Sequence, residues 1–185
     1  MGYWGYFVVG RSEQPLARTA ALAGVPGLLS RTTAPGGWQV WEYPGAGAGI
    51  GSMKVLARET GAPALFGYVM DSACVAVEAA APSGDAWSTC LARNVMAGHL
   101  AGGDSGLGVD DYFLEPADAA GRAVAWAAEA GHAVTAGALL AVLEAEPVTE
   151  SGGPGGEPDS PVAESGEMAE NLFFRLLDRL GVVPL

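Results

Sequence analysis

The sequence predicts an α+β fold: a single domain, mainly antiparallel sheet around a hairpin at 63–79, covered by helices. Three observations predict it. Two apolar runs, Leu65–Met70 and Cys74–Ala79, flank a short polar break at Asp71-Ser72. Their length and β-branched or aromatic content suit strands, and the break suits a hairpin turn. The first run is apolar on both faces, as a strand near the middle of a sheet is. Second, Trp38–Tyr43 alternates cleanly, with Trp38, Val40 and Glu42 on one face and Gln39, Trp41 and Tyr43 on the other. Third, residues 167–180 form an amphipathic helical pattern. Met168, Leu172, Phe173, Leu176, Leu177 and Leu180 share one side, and Glu170, Arg175, Asp178 and Arg179 lie around the other.

The remaining elements follow in order. Tyr3–Gly10 is rich in strong strand formers. Ser12-Glu13-Gln14-Pro15 resembles a helix start, which predicts a short helix to about Ala23, closed by Gly24. Leu28–Thr33 is a second strand, and Pro35-Gly36-Gly37 turns into the third. The glycine-rich loop 45–51 leads to a helix over Ser52–Thr60, stopped by Gly61 and Pro63. After the hairpin, 80–85 is a turn and Trp87–Ala92 a strand. Asn94–Leu100 reads as a short helix, 101–111 as loop, 115–130 as a helix ended by Gly131, and Thr135 caps another helix through about Glu146. Residues 147–166 have the composition of a flexible acidic linker. The expected organisation is therefore an α+β domain over 1–146, a disordered acidic linker over 147–166, and a helix over 167–185 that packs back on the domain. Burying Leu172, Phe173, Leu176 and Leu177 at roughly 1.5–3 kcal/mol each outweighs the closure entropy of such a loop.

Length and charge bound the function. A chain of 185 residues suits one domain with a full core. The net charge is −12, and 123–174 holds nine acidic residues with no Lys or Arg. That surface argues against nucleic acid, whose phosphates need basic side chains, and favours a basic protein partner. The N-terminus lacks the basic start and long apolar run of a secretory signal, and the longest apolar stretch, 62–81, carries Asp71 and Glu78. The expectation is a cytoplasmic protein without a membrane span, with reduced thiols.

Candidate sites are few. The helix start after the glycine-rich loop offers N–H groups to an anion, through Gly47, Gly49, Gly51 and Ser52. The loop fits neither the P-loop string nor the dinucleotide spacing, where a glycine is due at Ile50; a flexible surface loop is the favoured reading. Gly103-Asp104-Ser105-Gly106 resembles the nucleophile motif of chymotrypsin-like serine proteases, and its first three residues resemble the first block of GDS-type esterases. The histidines, His99 and His132, stand at the wrong spacing for either, which favours turn chemistry. Trp38, Trp41, Asp104, Asp110 and Asp111 are candidates for contact with a partner; two facing strands would place the tryptophans in the core, which is the favoured reading. No cofactor, metal site or catalytic residue is expected. Cys74 and Cys90 fall opposite each other if the intervening turn is centred on Pro82.

The opening Gly-Tyr-Trp-Gly-Tyr-Phe-Val-Val and the closing Asn-Leu-Phe-Phe-Arg-Leu-Leu-Asp-Arg-Leu-Gly resemble the ends of small uncharacterised actinobacterial proteins. In size, acidity and α+β pattern the chain resembles bacterial toxin-immunity proteins. This resemblance implies a non-catalytic neutraliser of a basic protein. The alternative is a small hydrolase or a small-molecule or anion-binding protein using the 45–51 or 98–111 loop. Enzyme activity is the less favoured expectation.

Both thiols are expected to be free. Thiol titration of freshly purified protein in denaturant should count two per chain; a count near zero would refute it.

Overall fold

Six strands, β1 (Gly5–Arg11), β2 (Leu29–Ala34), β3 (Trp38–Pro44), β4 (Ala64–Met70), β5 (Cys74–Ala80) and β6 (Trp87–Leu91), pair into one antiparallel sheet of order β2-β3-β1-β4-β5-β6. The computed structural model describes residues 2–45, 49–103, 106–147 and 168–185. The helices among them are α1 (Met53–Thr60), α2 (Arg93–Ala101), α3 (Val109–Tyr112), α4 (Pro116–Glu129), α5 (Ala136–Leu143) and α6 (Ala169–Arg179). The fold is α+β, with β1 and β4 as the two middle strands.

Alternation along the strands gives the sheet two different faces. One carries Phe7, Val9, Trp38, Val40, Leu65, Val69, Val75 and Val77, all buried beneath Trp126 of α4, Leu139 and Val142 of α5, and Leu172, Phe173 and Leu176 of α6. The Trp126 indole N–H donates to two main-chain carbonyls, Ala64 (3.2 Å) and Ala80 (3.0 Å), which are paired residues of β4 and β5. The other face buries Val8, Ala64 and Ala80 under Leu16, Leu22, Ile50, Met53 and Leu56. Tyr6, Tyr43 and Phe66 on this face are half-buried, and Tyr6 stacks on Tyr68 at 4.3 Å between centroids.

Local chemistry sets the element ends. Ser52 caps α1 by accepting from the Lys54 N–H (3.2 Å), and Gly61 closes it at φ 69°. Thr135 caps α5 by accepting from the Ala138 N–H (3.3 Å). The sheet's outer strand β2 is exposed along its length and bulged between Ser30 and Thr32. The helix expected over about 12–23 is replaced by a single 3-10 turn, Leu16–Arg18, followed by turns. The Glu59 carboxylate explains this. It accepts from the N–H groups of Ala20 (2.5 Å) and Ala21 (2.9 Å), which a helix would have sent to its own carbonyls. From Val148 onward the stretch read as a linker lies outside the described residues, as does Glu167.

The register of β5 and β6 also differs from expectation. Cys90 faces Ala76, and Cys74 faces Met70 across the other hairpin. The turn is centred one residue later than Pro82, and a shift of one in the centre moves each partner by two. Both cysteines are free and buried.

One close approach ties α6 to the sheet. A Cβ placed on Gly67 of β4 would stand 2.6 Å from Cε2 of Phe173, a ring with no exposed surface. Gly67→Ala should lower stability in urea unfolding by about 1–3 kcal/mol. Combining it with Phe173→Leu should cost clearly less than the two single changes summed; strict additivity would show that the ring does not sit on Gly67.

Candidate functional site

Beside β6 the chain folds back on itself and builds an acid-lined cavity. β6 ends at Leu91, and Ala92, at φ 57°, turns sharply into α2. After α3 the chain returns along the outer edge of β6. The Leu114 N–H donates to the Ser88 carbonyl (2.9 Å), and the Leu114 carbonyl accepts from Thr89 Oγ1 (3.2 Å) and Arg93 Nη1 (3.0 Å). Pro116, fit for a first helical turn, then opens α4 and places Asp118 in that turn.

These elements border an open cavity of about 630 Å³ lined by Trp87 and Ser88 of β6, Asp110, Asp111 and Tyr112 of α3, Glu115, Asp118 and Arg122 of α4, and Glu78 of β5. Five carboxylates therefore meet one guanidinium around one cavity. Three are partly engaged. Asp110 pairs with Arg93, Asp111 Oδ2 accepts from the Gly108 N–H (2.7 Å), and Glu78 Oε2 accepts from the Met53 N–H (3.1 Å). Asp110 remains 69% exposed at its side chain while Arg93 is 15% exposed, so the anionic end of that pair faces solvent.

Carboxylates grouped with Trp87 and Tyr112 suit guanidinium or ammonium groups, by charge-assisted hydrogen bonds and by contact with ring faces. Among the described residues there is no group of three or more His, Cys, Asp or Glu placed to hold a metal ion. None of the helices among them is long and apolar enough to cross a membrane.

The sequence candidates separate. Asp110 and Asp111 line the cavity together. Trp38 is 2% exposed and packs 5.9 Å from Trp126, inside the core. Trp41 lies half-buried on the opposite face, its Nε1–H donating to Gln39 Oε1 (2.9 Å). Gly49, Gly51 and Ser52 are exposed beside the start of α1, where Ser52 and Glu78 already accept from the N–H groups of Lys54 and Met53. Gly47, Asp104 and Ser105 lie outside the described residues. His99 stands near the end of α2 with its ring 6.2 Å from Trp4. Sequence reasoning missed Glu78, Trp87, Glu115, Asp118 and Arg122. The acidic first turn after Leu114 was the one local signal for the last three.

The chain matches no family model, no curated protein and no solved structure.

Burial pushes the thiols of Cys74 and Cys90 from 9.0 up to about 11. The unfolded chain therefore loses these protons first, and deprotonation favours unfolding. Stability should be intact below pH 9 and fall as pH rises toward 11, as read by urea midpoints across that range. Replacing both cysteines with alanine should flatten the decline. An unchanged pH dependence would assign the decline to other groups, such as Tyr3, whose hydroxyl burial also pushes up.

Proposed function

We propose that this protein is a non-catalytic, acidic, cytoplasmic binding protein that holds a basic protein partner at the cavity beside β6. The observation that carries the reading is the convergence of Glu78, Asp110, Asp111, Glu115 and Asp118 on one cavity bordered by Trp87 and Tyr112. The net charge of −12 supports it, because a field of one sign speeds encounter with a basic surface. The immunity-type reading follows: a partner whose own site is basic, as a nuclease's is, would be blocked by a matching acidic face.

An arginine-rich peptide tests the chemistry of the cavity directly. Calorimetry should show binding that weakens as salt is raised. The combined change Asp111→Asn, Glu115→Gln and Asp118→Asn should weaken binding by about tenfold or more, from roughly 0.5–1 kcal/mol for each exposed charge. Asp110 is left in place because Arg93 needs its carboxylate. Equal affinity for the parent and the triple variant would reject the cavity as the binding surface.

A further inference from the structure

We infer that a second cavity, between the end of β1 and the end of α1, binds a small ligand bearing one carboxylate or phosphate group through Arg11 and Arg18. β4 and β5 separate β1 from the acid-lined edge at β6. The cavity is open to solvent, has a volume of about 650 Å³ and is lined by Arg11, Ser12, Glu13, Gln14, Arg18, Thr19, Gly36, Gly37, Glu59 and Thr60.

The charges in it are unevenly committed. Glu59 spends both oxygens on the N–H groups of Ala20 and Ala21. Neither Arg11 nor Arg18 forms an ion pair among the described residues, although the chain carries an excess of carboxylates. The Arg11 guanidinium instead lies over the Trp38 ring, 5.7 Å from its centroid. A guanidinium takes an oxyanion with two parallel hydrogen bonds from its N–H fork.

The buried Trp38 ring under Arg11 borders the cavity without lining it, and its indole N–H reports on what Arg11 holds. Trp38 is 2% exposed, yet its Nε1–H donates no hydrogen bond among the described residues, whereas those of Trp41 and Trp126 do. This nitrogen lies beside Gly36, where a Cβ would come within 3.9 Å of it. Gly36 and Gly37, which line the cavity, turn at φ 84° and 85°. Ser12 adds a hydroxyl whose oxygen accepts from the Gln14 N–H (3.1 Å), leaving its proton to donate. Glu13 limits the choice. It lines the same cavity, and its carboxylate opposes polyanions and favours a single anionic group.

The test follows the Trp38 indole N–H by ¹⁵N-edited NMR while inorganic phosphate, acetate or chloride is added at matched ionic strength. A saturable shift of that signal with phosphate or acetate, absent with chloride, is expected. The stronger of the two names the ligand class. Arg18→Gln, at an exposed position, and Arg11→Gln should each weaken the response by about tenfold. If Arg11→Gln fails to fold, Arg18→Gln alone decides. No shift at high millimolar anion, an equal shift with chloride, or an undiminished response in Arg18→Gln would overturn the assignment.

Discussion

Ser72 holds together three parts of the chain that are far apart in sequence. Asp71 and Ser72 both sit at positive φ, 54° and 53°, in the tight turn between β4 and β5. Single Asp or Ser residues reach that region at a cost of about 1–2 kcal/mol. Every polar group of Ser72 repays it. Its N–H donates to the Tyr3 carbonyl (2.9 Å), its carbonyl accepts from the Ala169 N–H (3.0 Å), and its hydroxyl accepts from the Tyr3 N–H (2.8 Å) and donates to Glu170 Oε1 (2.6 Å). Asp71 adds a bond from the Gly2 N–H (2.7 Å). At about 0.5–1.5 kcal/mol net for each bond, and more for the charged one, the set outweighs the strain of the turn. The N-terminal strand and α6 are thereby registered on the same hairpin, and the helical layer is placed on the sheet from there.

That placement explains why the two faces differ. α6 starts at Ser72 and crosses toward Gly67, where the missing Cβ lets Phe173 down onto the sheet. α4 is fixed at the far end of β4 by the Trp126 indole. One face is therefore fully roofed. Among the described residues the other is covered by the segment around Leu16–Leu22 and by α1, while Met96 of α2 reaches Cys74. Its tyrosines stay half-buried between those covers.

The six strands were legible because each announces itself locally, by alternation or by an apolar run between turn residues. The same holds for Ser52 and Thr135 as caps. The segment around 12–23 was misread because its alanines favour a helix while Glu59, nearly forty residues away, claims its amides. The cysteine register was misread because composition locates a turn without fixing its centre. Asp110 and Asp111 stood out as loop acids, but their cavity was hidden. Its walls come from β5, β6, α3 and α4, and Glu78 reads as one polar break in an apolar strand. Trp38 was ambiguous in sequence for a different reason: alternation assigns a face, and only the packing of α4 shows which face is closed.

The return of residues 113–115 along β6 has a consequence for recognition. Leu114 occupies the Ser88 carbonyl, so this border of the sheet is already dressed by its own chain. The opposite border, β2, is interrupted by its bulge. Neither margin offers an uninterrupted main-chain ladder to a visiting strand. On the proposed reading, a partner docking at β6 would be selected by the shape and charge of its side chains, not by an ability to become extended. What this edge presents among the described residues is charge rather than an open main-chain ladder.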